Sequence, residues 1–81
     1  MSKLFVVRLP VLSQDFENVA VAKIHVKIGE HVRMHNTLME FESSKATFCV
    51  QSEVNGTVTK IHVHEHHPVF EGDSLLTILK D

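Results

Sequence analysis

The chain repeats itself at an interval of 37 residues, and this repeat constrains its fold more than any other feature of the sequence. The residues Lys-Ile-His-Val at Lys23–Val26 return unchanged at Lys60–Val63. Continued without a gap, the alignment places apolar residues on apolar residues: Val32 on Val69, Leu38 on Leu75, Met39 on Leu76 and Phe41 on Ile78. The interval is about half of the chain, which argues against a solenoid. We therefore predict two similar halves related by a pseudo-two-fold axis, closing into a small sandwich or flattened barrel.

Short apolar segments separated by turn residues predict an all-β chain of about eight strands. From Ile24 to Ile28, apolar and polar residues alternate with a period of two, which is typical of a half-buried strand. No segment carries a helical period. The dipeptide Asn55-Gly56 predicts a hairpin turn. The predicted strands are 4–9, 19–28, a short piece at 32, 38–41, 48–50, 57–63, 69–70 and 75–79.

The segment Glu42–Thr47 is short, polar and flanked by two apolar runs, which predicts a tight hairpin with Lys45 at its tip. Shifted by the repeat, Lys45 falls just past Asp81, so the hairpin and the chain ends should occupy equivalent places at opposite ends of the domain. The same symmetry predicts that the long loop Pro10–Asn18 lies near the hairpin. We interpret the free amine of Lys45 as a site of covalent attachment. No nucleophile–base pair accompanies it, so catalysis is not expected.

Length, charge and cysteine content narrow the class of protein. The 81 residues suffice for one small domain, residues 1–81. A formal net charge of −2 argues against a nucleic-acid partner. No apolar run approaches the roughly 20 residues of a membrane helix, and the N-terminus does not read as a signal peptide. A single cysteine excludes a disulfide within the chain. We predict a soluble, cytosolic protein that contacts neither nucleic acid nor membrane.

Histidines and the single cysteine are the remaining candidates for chemistry. His62, His64 and His66 alternate along one segment, and two such residues on a strand face can ligate zinc. No cysteine or carboxylate at ligand spacing completes the set, so an exposed strand edge is favoured and no metal is predicted. Cys49 is expected to face outward as an incidental reduced thiol, and the phenylalanines Phe5, Phe41 and Phe48 are expected in the core.

Four segments together resemble a known family: Gly29–Leu38, Glu42–Thr47, Val54–Val58 and Glu71–Leu75. They are similar to the lipoyl domains of the acyltransferase components of 2-oxo acid dehydrogenase complexes, and the resemblance covers essentially the whole chain. It implies a flattened β-barrel of two four-stranded antiparallel sheets, the hammerhead fold that lipoyl and biotinyl domains share. It also implies that Lys45 is the N6-lipoyllysine and carries covalent lipoate. The resemblance implies no catalytic residue and no metal ligand.

The sequence departs from the family pattern at several turns. Ser44 stands where the family usually has Asp, and Gln51 and Glu53 replace common prolines. The glycine turns are complementary between the halves. Gly29 is matched by His66, and Gly72 is matched by His35. Because histidine tolerates a positive φ better than most residues, we expect local strain at these two histidines without a change of fold.

The resemblance implies a swinging-arm carrier that shuttles acyl groups and reducing equivalents and is not an enzyme by itself. Its implied partners are a thiamin-diphosphate-dependent 2-oxo acid decarboxylase, an acyltransferase core, dihydrolipoamide dehydrogenase, and the lipoate ligase or lipoyl transferase. The implied compartment is the bacterial cytoplasm, or the mitochondrial matrix for a eukaryotic chain. The exposed acids Asp15 and Glu17 of the long loop, with Glu42 beside the hairpin, are the candidate contacts for partners.

Two other functions stay open at this point. A biotin carrier shares the fold, but its lysine is flanked by methionines, whereas the neighbours here are Ser44 and Ala46. An unmodified binding module that has kept the barrel is the third interpretation, and Ser44 in place of Asp is its motivation.

Overall fold

The computed structural model describes residues 3–11 and 17–81, and over these residues it contains seven β-strands and no helix. Within this part of the chain, therefore, no helix has the length and apolar character needed to cross a membrane. The strands are β1 (Leu4–Arg8), β2 (Ala20–Ile24), β3 (His31–Val32), β4 (Thr37–Glu42), β5 (Thr47–Gln51), β6 (Gly56–Ile61) and β7 (Ser74–Lys80).

The strands form two antiparallel sheets, as predicted. One sheet has the order β1-β7-β6-β3 and the other β2-β4-β5. The core lies between the sheets, and in β1, β5 and β6 more buried residues alternate with more exposed ones. β7 differs, because four consecutive residues, 75–78, are buried. The largest fully buried side chain is Phe41, whose ring stacks on Phe48 with centroids 5.3 Å apart. The fully buried residues include Val21, Leu38, Met39, Phe41, Val58, Leu76 and Ile78.

The predicted pseudo-two-fold symmetry is confirmed residue by residue in the strand register. Ala20 pairs with Glu42 in one sheet, and the residues 37 positions further on, Thr57 and Leu79, pair in the other. The remaining pairs of β2 with β4 recur in the same way between β6 and β7. Even the irregularity in the ladder is repeated, since the register shifts between Val21 and Lys23 and again between Val58 and Lys60.

The eighth strand expected from the symmetry is reduced to a single bridge in the described residues. His31 of β3 pairs with Thr57, and the equivalent pair is the isolated bridge between Pro68 and Ala20. Proline has no backbone N–H to donate to a ladder, which explains why the pairing is shorter here. Val69 still donates its N–H to the carbonyl of Val19 at 2.9 Å. The second sheet therefore has three strands and this bridge at its edge.

The two histidines that replace glycine adopt a positive φ, as predicted. Gly29 has φ 93° and its counterpart His66 has φ 70°, while Gly72 has φ 83° and its counterpart His35 has φ 76°. The turns of the two halves also form equivalent hydrogen bonds. Gly29 donates to the carbonyl of Val58 at 2.7 Å, and His66 donates to that of Val21 at 2.7 Å. Each histidine thus maintains the same turn as the glycine of the other half.

The prediction of a hairpin turn at Asn55-Gly56 is wrong. β5 and β6 lie in different sheets, so this segment is a crossover and not a turn between paired strands. Gly56 is required for a different reason. A Cβ on Gly56 would lie 2.3 Å from the carbonyl oxygen of Leu79. The glycine therefore allows close approach of backbone in the sheet, which the turn signal of the dipeptide does not distinguish.

The equivalence of the chain ends and the Lys45 hairpin follows from the register. Leu4 pairs with Leu79, and Lys80 donates its N–H to the carbonyl of Lys3 at 2.9 Å. The equivalent pair in the other sheet is Thr47 with Glu42, at the base of the hairpin. The Lys45 hairpin therefore occupies the same position in the β2-β4-β5 sheet that the two chain ends occupy in the β1-β7-β6-β3 sheet.

Candidate functional site

The segment between β4 and β5 is a closed hairpin loop of four residues, Ser43–Ala46, as predicted. The N–H of Ser43 donates to the carbonyl of Ala46 at 2.8 Å, and the Ser43 hydroxyl donates to the same carbonyl at 3.0 Å. The N–H of Ala46 donates back to the Ser43 hydroxyl at 3.2 Å. Serine suits this place because its hydroxyl both donates to and accepts from nearby backbone. Ser44 and Lys45 are left at the tip.

Lys45 is exposed, and its amine has no hydrogen-bond or ion-pair partner among residues 3–11 and 17–81. Its neighbours Ser44 and Ala46 are small and exposed too. The amine therefore stands in water at the tip of a closed loop, where a large enzyme can reach it. The geometry agrees with the predicted hairpin, while attachment of a group at Lys45 stays a prediction.

Ser44 connects the hairpin tip to the loop that precedes β2. Its N–H and its hydroxyl both donate to the carbonyl of Glu17, at 3.0 Å and 3.2 Å. Its hydroxyl also accepts from the side-chain amide of Asn18 at 3.1 Å, and Asn18 has φ 56°. The long loop was predicted to lie near the hairpin, and Glu17 and Asn18 confirm this. Leu12–Phe16, including Asp15, lie outside the described residues.

This bonding role of Ser44 was not anticipated from the sequence, where the residue was only a departure from the family pattern. The Ser44 hydroxyl acts as donor and acceptor at once, which a carboxylate cannot do. An Asp at this position would place a negative oxygen against the Glu17 carbonyl. The pseudo-symmetry predicted that the long loop lies near the hairpin, but no sequence signal identified the hydrogen bonds between them.

Two of the three candidate recognition acids, Glu17 and Glu42, belong to the described residues and lie next to the hairpin segment. Glu17 and Glu42 are both exposed, one in the loop bound by Ser44 and the other directly before the hairpin loop. Both residues thus adjoin the segment that carries the exposed Lys45. Recognition of these acids by a partner stays a prediction.

The other candidates for chemistry are placed as follows. Across the described ranges, no group of three or more His, Cys, Asp or Glu side chains is arranged to hold a metal ion. His62 is within hydrogen-bond distance of the Thr77 hydroxyl at 2.9 Å, and the rings of His64 and His67 meet edge to face. Cys49 is exposed, as predicted.

Comparisons with known proteins agree with this geometry. The sequence model of the family described as biotin-requiring enzyme, which covers biotin and lipoyl attachment, matches residues 6–78. The chain is 34% identical over 64 residues to the dihydrolipoyllysine-residue acetyltransferase component of the pyruvate dehydrogenase complex of Cupriavidus necator, covering 79% of this chain and 12% of that protein.

A second relative is the dihydrolipoyllysine-residue succinyltransferase component of the 2-oxoglutarate dehydrogenase complex of Rickettsia conorii. The identity is 31% over 67 residues, covering 83% of this chain and 17% of the relative. The chain thus spans less than a fifth of the length of either relative. With the family model matching nearly the whole chain and a pseudo-symmetric pair of antiparallel sheets presenting a hairpin lysine, the chain belongs to the biotinyl/lipoyl-attachment domain family.

Proposed function

We propose that the chain is a swinging-arm carrier domain of a 2-oxo acid dehydrogenase complex, and that lipoate is joined by an amide bond to Nζ of Lys45. One observation carries the proposal: the Lys45 amine stands exposed at a closed hairpin tip, without a partner in the described residues. The names of the relatives support the choice of complex, because both are dihydrolipoyllysine-residue acyltransferase components.

The residues at the tip fit amide formation. The unprotonated amine must reach the carbonyl carbon of an activated carboxylate; the new C–N bond forms, the activating group leaves with its electron pair, and the nitrogen loses a proton. A salt bridge or burial would oppose each of these events. Lys45 has neither in the described structure, and its neighbours Ser44 and Ala46 leave room for the attaching enzyme.

When bound, a lipoyl group supplies a dithiolane that takes up an acyl group with two electrons and later releases both. The chain's own part is delivery. Ser43 closes the loop, Ser44 ties it to the preceding loop, and the exposed lysine gives the arm its reach. Tethering raises the effective concentration of the carried group at each active site that the arm reaches. In this proposal the sites belong to the decarboxylase, the acyltransferase core and dihydrolipoamide dehydrogenase.

Intact-mass measurement tests the attachment. After expression with lipoate and a lipoate ligase, the wild-type chain should gain the mass of one lipoyl group, whereas Lys45→Ala should gain none. The exposed Lys27 offers a matched control, so Lys27→Ala should be modified like the wild type. An unchanged wild-type mass, or a gain that survives Lys45→Ala, contradicts the proposal.

Biotin is the second candidate group, because the family covers biotin-dependent carriers too. Ser44 and Ala46 favour lipoate, since biotinyl domains flank their lysine with methionines. A streptavidin blot of the same material separates the two groups: a positive blot would replace lipoate by biotin at Lys45. A native-source chain without any adduct would instead favour an unmodified binding module.

A further inference from the structure

An aromatic side chain is held out into solvent at the turn that precedes β7. Phe70 is 70% exposed, although its backbone is well ordered by hydrogen bonds. Its N–H donates to the Asp73 carboxylate at 2.9 Å, and its carbonyl accepts from the N–H of Asp73 at 3.0 Å. The same turn is joined to β1, since Gly72 donates to the carbonyl of Leu9 at 2.9 Å. The turn geometry therefore directs the ring outward.

Two hydrogen bonds connect this turn to the hairpin tip. Val69, directly before Phe70, donates to the carbonyl of Val19 at 2.9 Å. The residue before Val19 is Asn18, whose side chain donates to Ser44 at 3.1 Å. The Leu9 carbonyl accepts a hydrogen bond from this turn, and Val11, two residues after Leu9, has a side chain that is 88% exposed. Two exposed apolar side chains thus lie on the half of the surface that carries Lys45.

The pseudo-symmetry shows that the fold itself does not need Phe70. The equivalent residue is Arg33, and its turn forms the same bonds: Asn36 donates to the Arg33 carbonyl at 3.0 Å, and Arg33 donates to the Asn36 side chain at 2.9 Å. A charged residue therefore supports this turn equally well. Because the Phe70 ring is mostly exposed, folding removes little of it from water, so neither the turn nor the core accounts for an aromatic residue at this position.

Three acidic residues adjoin the segments just described: Glu71 follows Phe70, Glu17 precedes Asn18, and Glu42 precedes the hairpin loop. Glu17, Glu42 and Glu71 are all exposed. The guanidinium of Arg8 is directed at the turn itself, donating to the Gly72 carbonyl at 3.0 Å and to the Ser74 hydroxyl at 3.1 Å. Amide formation at Lys45 would remove its positive charge. The modified carrier would then present an apolar centre with an acidic border.

We infer that Phe70 and Val11 are the apolar centre of a docking surface, bordered by Glu17, Glu42 and Glu71, for the enzyme that acylates the arm. This Phe70 surface fits a partner that carries an apolar pocket bordered by Lys and Arg side chains. The inference rests on the proposed function. A lipoyl-lysine is the same on every carrier, so an acylating enzyme that selects this carrier must read protein surface near the tip.

Reductive acylation of the lipoylated chain tests the inference. The chain is modified, its mass is verified, and it is given to the thiamin-diphosphate-dependent decarboxylases for pyruvate and for 2-oxoglutarate, each with its 2-oxo acid. With the enzyme that acylates the wild type, Phe70→Ser should lower kcat/KM about tenfold, mainly through KM, as for an aromatic interface anchor. Phe70→Arg should lower kcat/KM further than Phe70→Ser does, because it brings a positive charge to a basic partner.

Met34 provides the matched control, because it is exposed in the equivalent turn of the other half. Met34→Ser should leave kcat/KM within about twofold of the wild type, as expected for a residue outside the interface. Added salt should raise the KM of the wild type, since the proposed border is electrostatic. Melting midpoints of all variants should agree, because neither side chain is buried.

The outcomes separate this inference from the proposed function. A lipoylated wild type that neither decarboxylase acylates would contradict the proposed function. A Phe70→Ser chain that is lipoylated and acylated as fast as the wild type would overturn the Phe70 surface and leave the carrier function intact. The surface is also overturned if Phe70→Ser slows only the attachment of lipoate, because the occupant would then be the attaching enzyme.

Discussion

His35 and His66 adopt, in one half of the barrel, the backbone conformation that glycine adopts in the other. A side chain at positive φ is strained because its Cβ approaches the following carbonyl, and histidine is among the residues that tolerate it best. The 37-residue alignment of Gly29 with His66 was sufficient to predict both positions. At the scale of single residues, this part of the fold was readable because the repeat supplies an internal reference.

The strain at His35 can be measured against its neighbour. His35→Val should lower the free energy of unfolding by about 1–2 kcal/mol, because a β-branched side chain fits the left-handed region poorly. Met34→Val is the control. Met34 is exposed and lacks a positive φ, so its substitution should change stability by about 0.5 kcal/mol or less. Urea denaturation checks both; equal losses would contradict the assignment of strain.

The Ser44 hydroxyl gives a second prediction for a single residue. Ser44→Ala should lower the free energy of unfolding by about 1 kcal/mol, because the bonds to Glu17 and from Asn18 are lost. Ser44→Asp should lose at least as much, since a carboxylate cannot donate to the Glu17 carbonyl. Ser44→Thr keeps the hydroxyl and should stay near the wild type in the same denaturation assay. An Asp variant as stable as the wild type would contradict this interpretation of Ser44.

At the scale of the elements, the strands were predicted more reliably than their connections. Seven of the eight predicted segments overlap strands. The alternation from Ile24 to Ile28 predicted a strand that in fact ends at Ile24, and the signal of Asn55-Gly56 was assigned to a hairpin that does not exist. A local dipeptide cannot report that β5 and β6 belong to different sheets. The pseudo-symmetry predicted the approach of the long loop to the hairpin, but the bond from Asn18 to Ser44 was beyond prediction, because it depends on the atomic positions of two segments distant in the sequence.

Gly56 tests the corrected role of that dipeptide. Gly56→Ala should lower the free energy of unfolding by about 3 kcal/mol or abolish folding, because the new Cβ meets the Leu79 backbone at 2.3 Å. Gly29→Ala meets no atom within 4 Å and should lose only about 1 kcal/mol, from its positive φ. Denaturation midpoints should rank in this order. A smaller loss for Gly56→Ala than for Gly29→Ala would contradict the close backbone contact and support a turn role for Gly56.

At the scale of the whole molecule, the adjacent chain ends and the Lys45 hairpin occupy symmetry-equivalent positions, so the chain could begin and end at either one. Lys3 and Lys80 are hydrogen-bonded neighbours, and Glu42 pairs with Thr47 at the equivalent place. Connecting the ends of this sequence and opening it elsewhere should therefore preserve both sheets. Such rearrangements are tolerated where the opened segment is exposed and makes few contacts with the core.

A circular permutant makes this testable. With the ends joined by a short Gly/Ser linker and the chain opened between Ser44 and Lys45, we expect a β-sheet circular dichroism spectrum. Unfolding should stay cooperative, with a free energy about 1 kcal/mol lower because a longer loop now closes the barrel. Lipoylation should be lost, since Lys45 no longer stands in a closed loop. The unpermuted chain with the same linker at its end is the control; an unfolded permutant would contradict the equivalence.

The pairing of the first strand with the last also sets the order of events during synthesis. β7 lies between β1 and β6, so the four-stranded sheet lacks one of its inner strands until residue 80 has been made. The codon for Lys45 is translated much earlier, while the strands that will position the hairpin are still incomplete. An attaching enzyme that reads the folded tip must therefore act after the ribosome has passed β7, and a nascent chain stalled before Ser74 should escape modification.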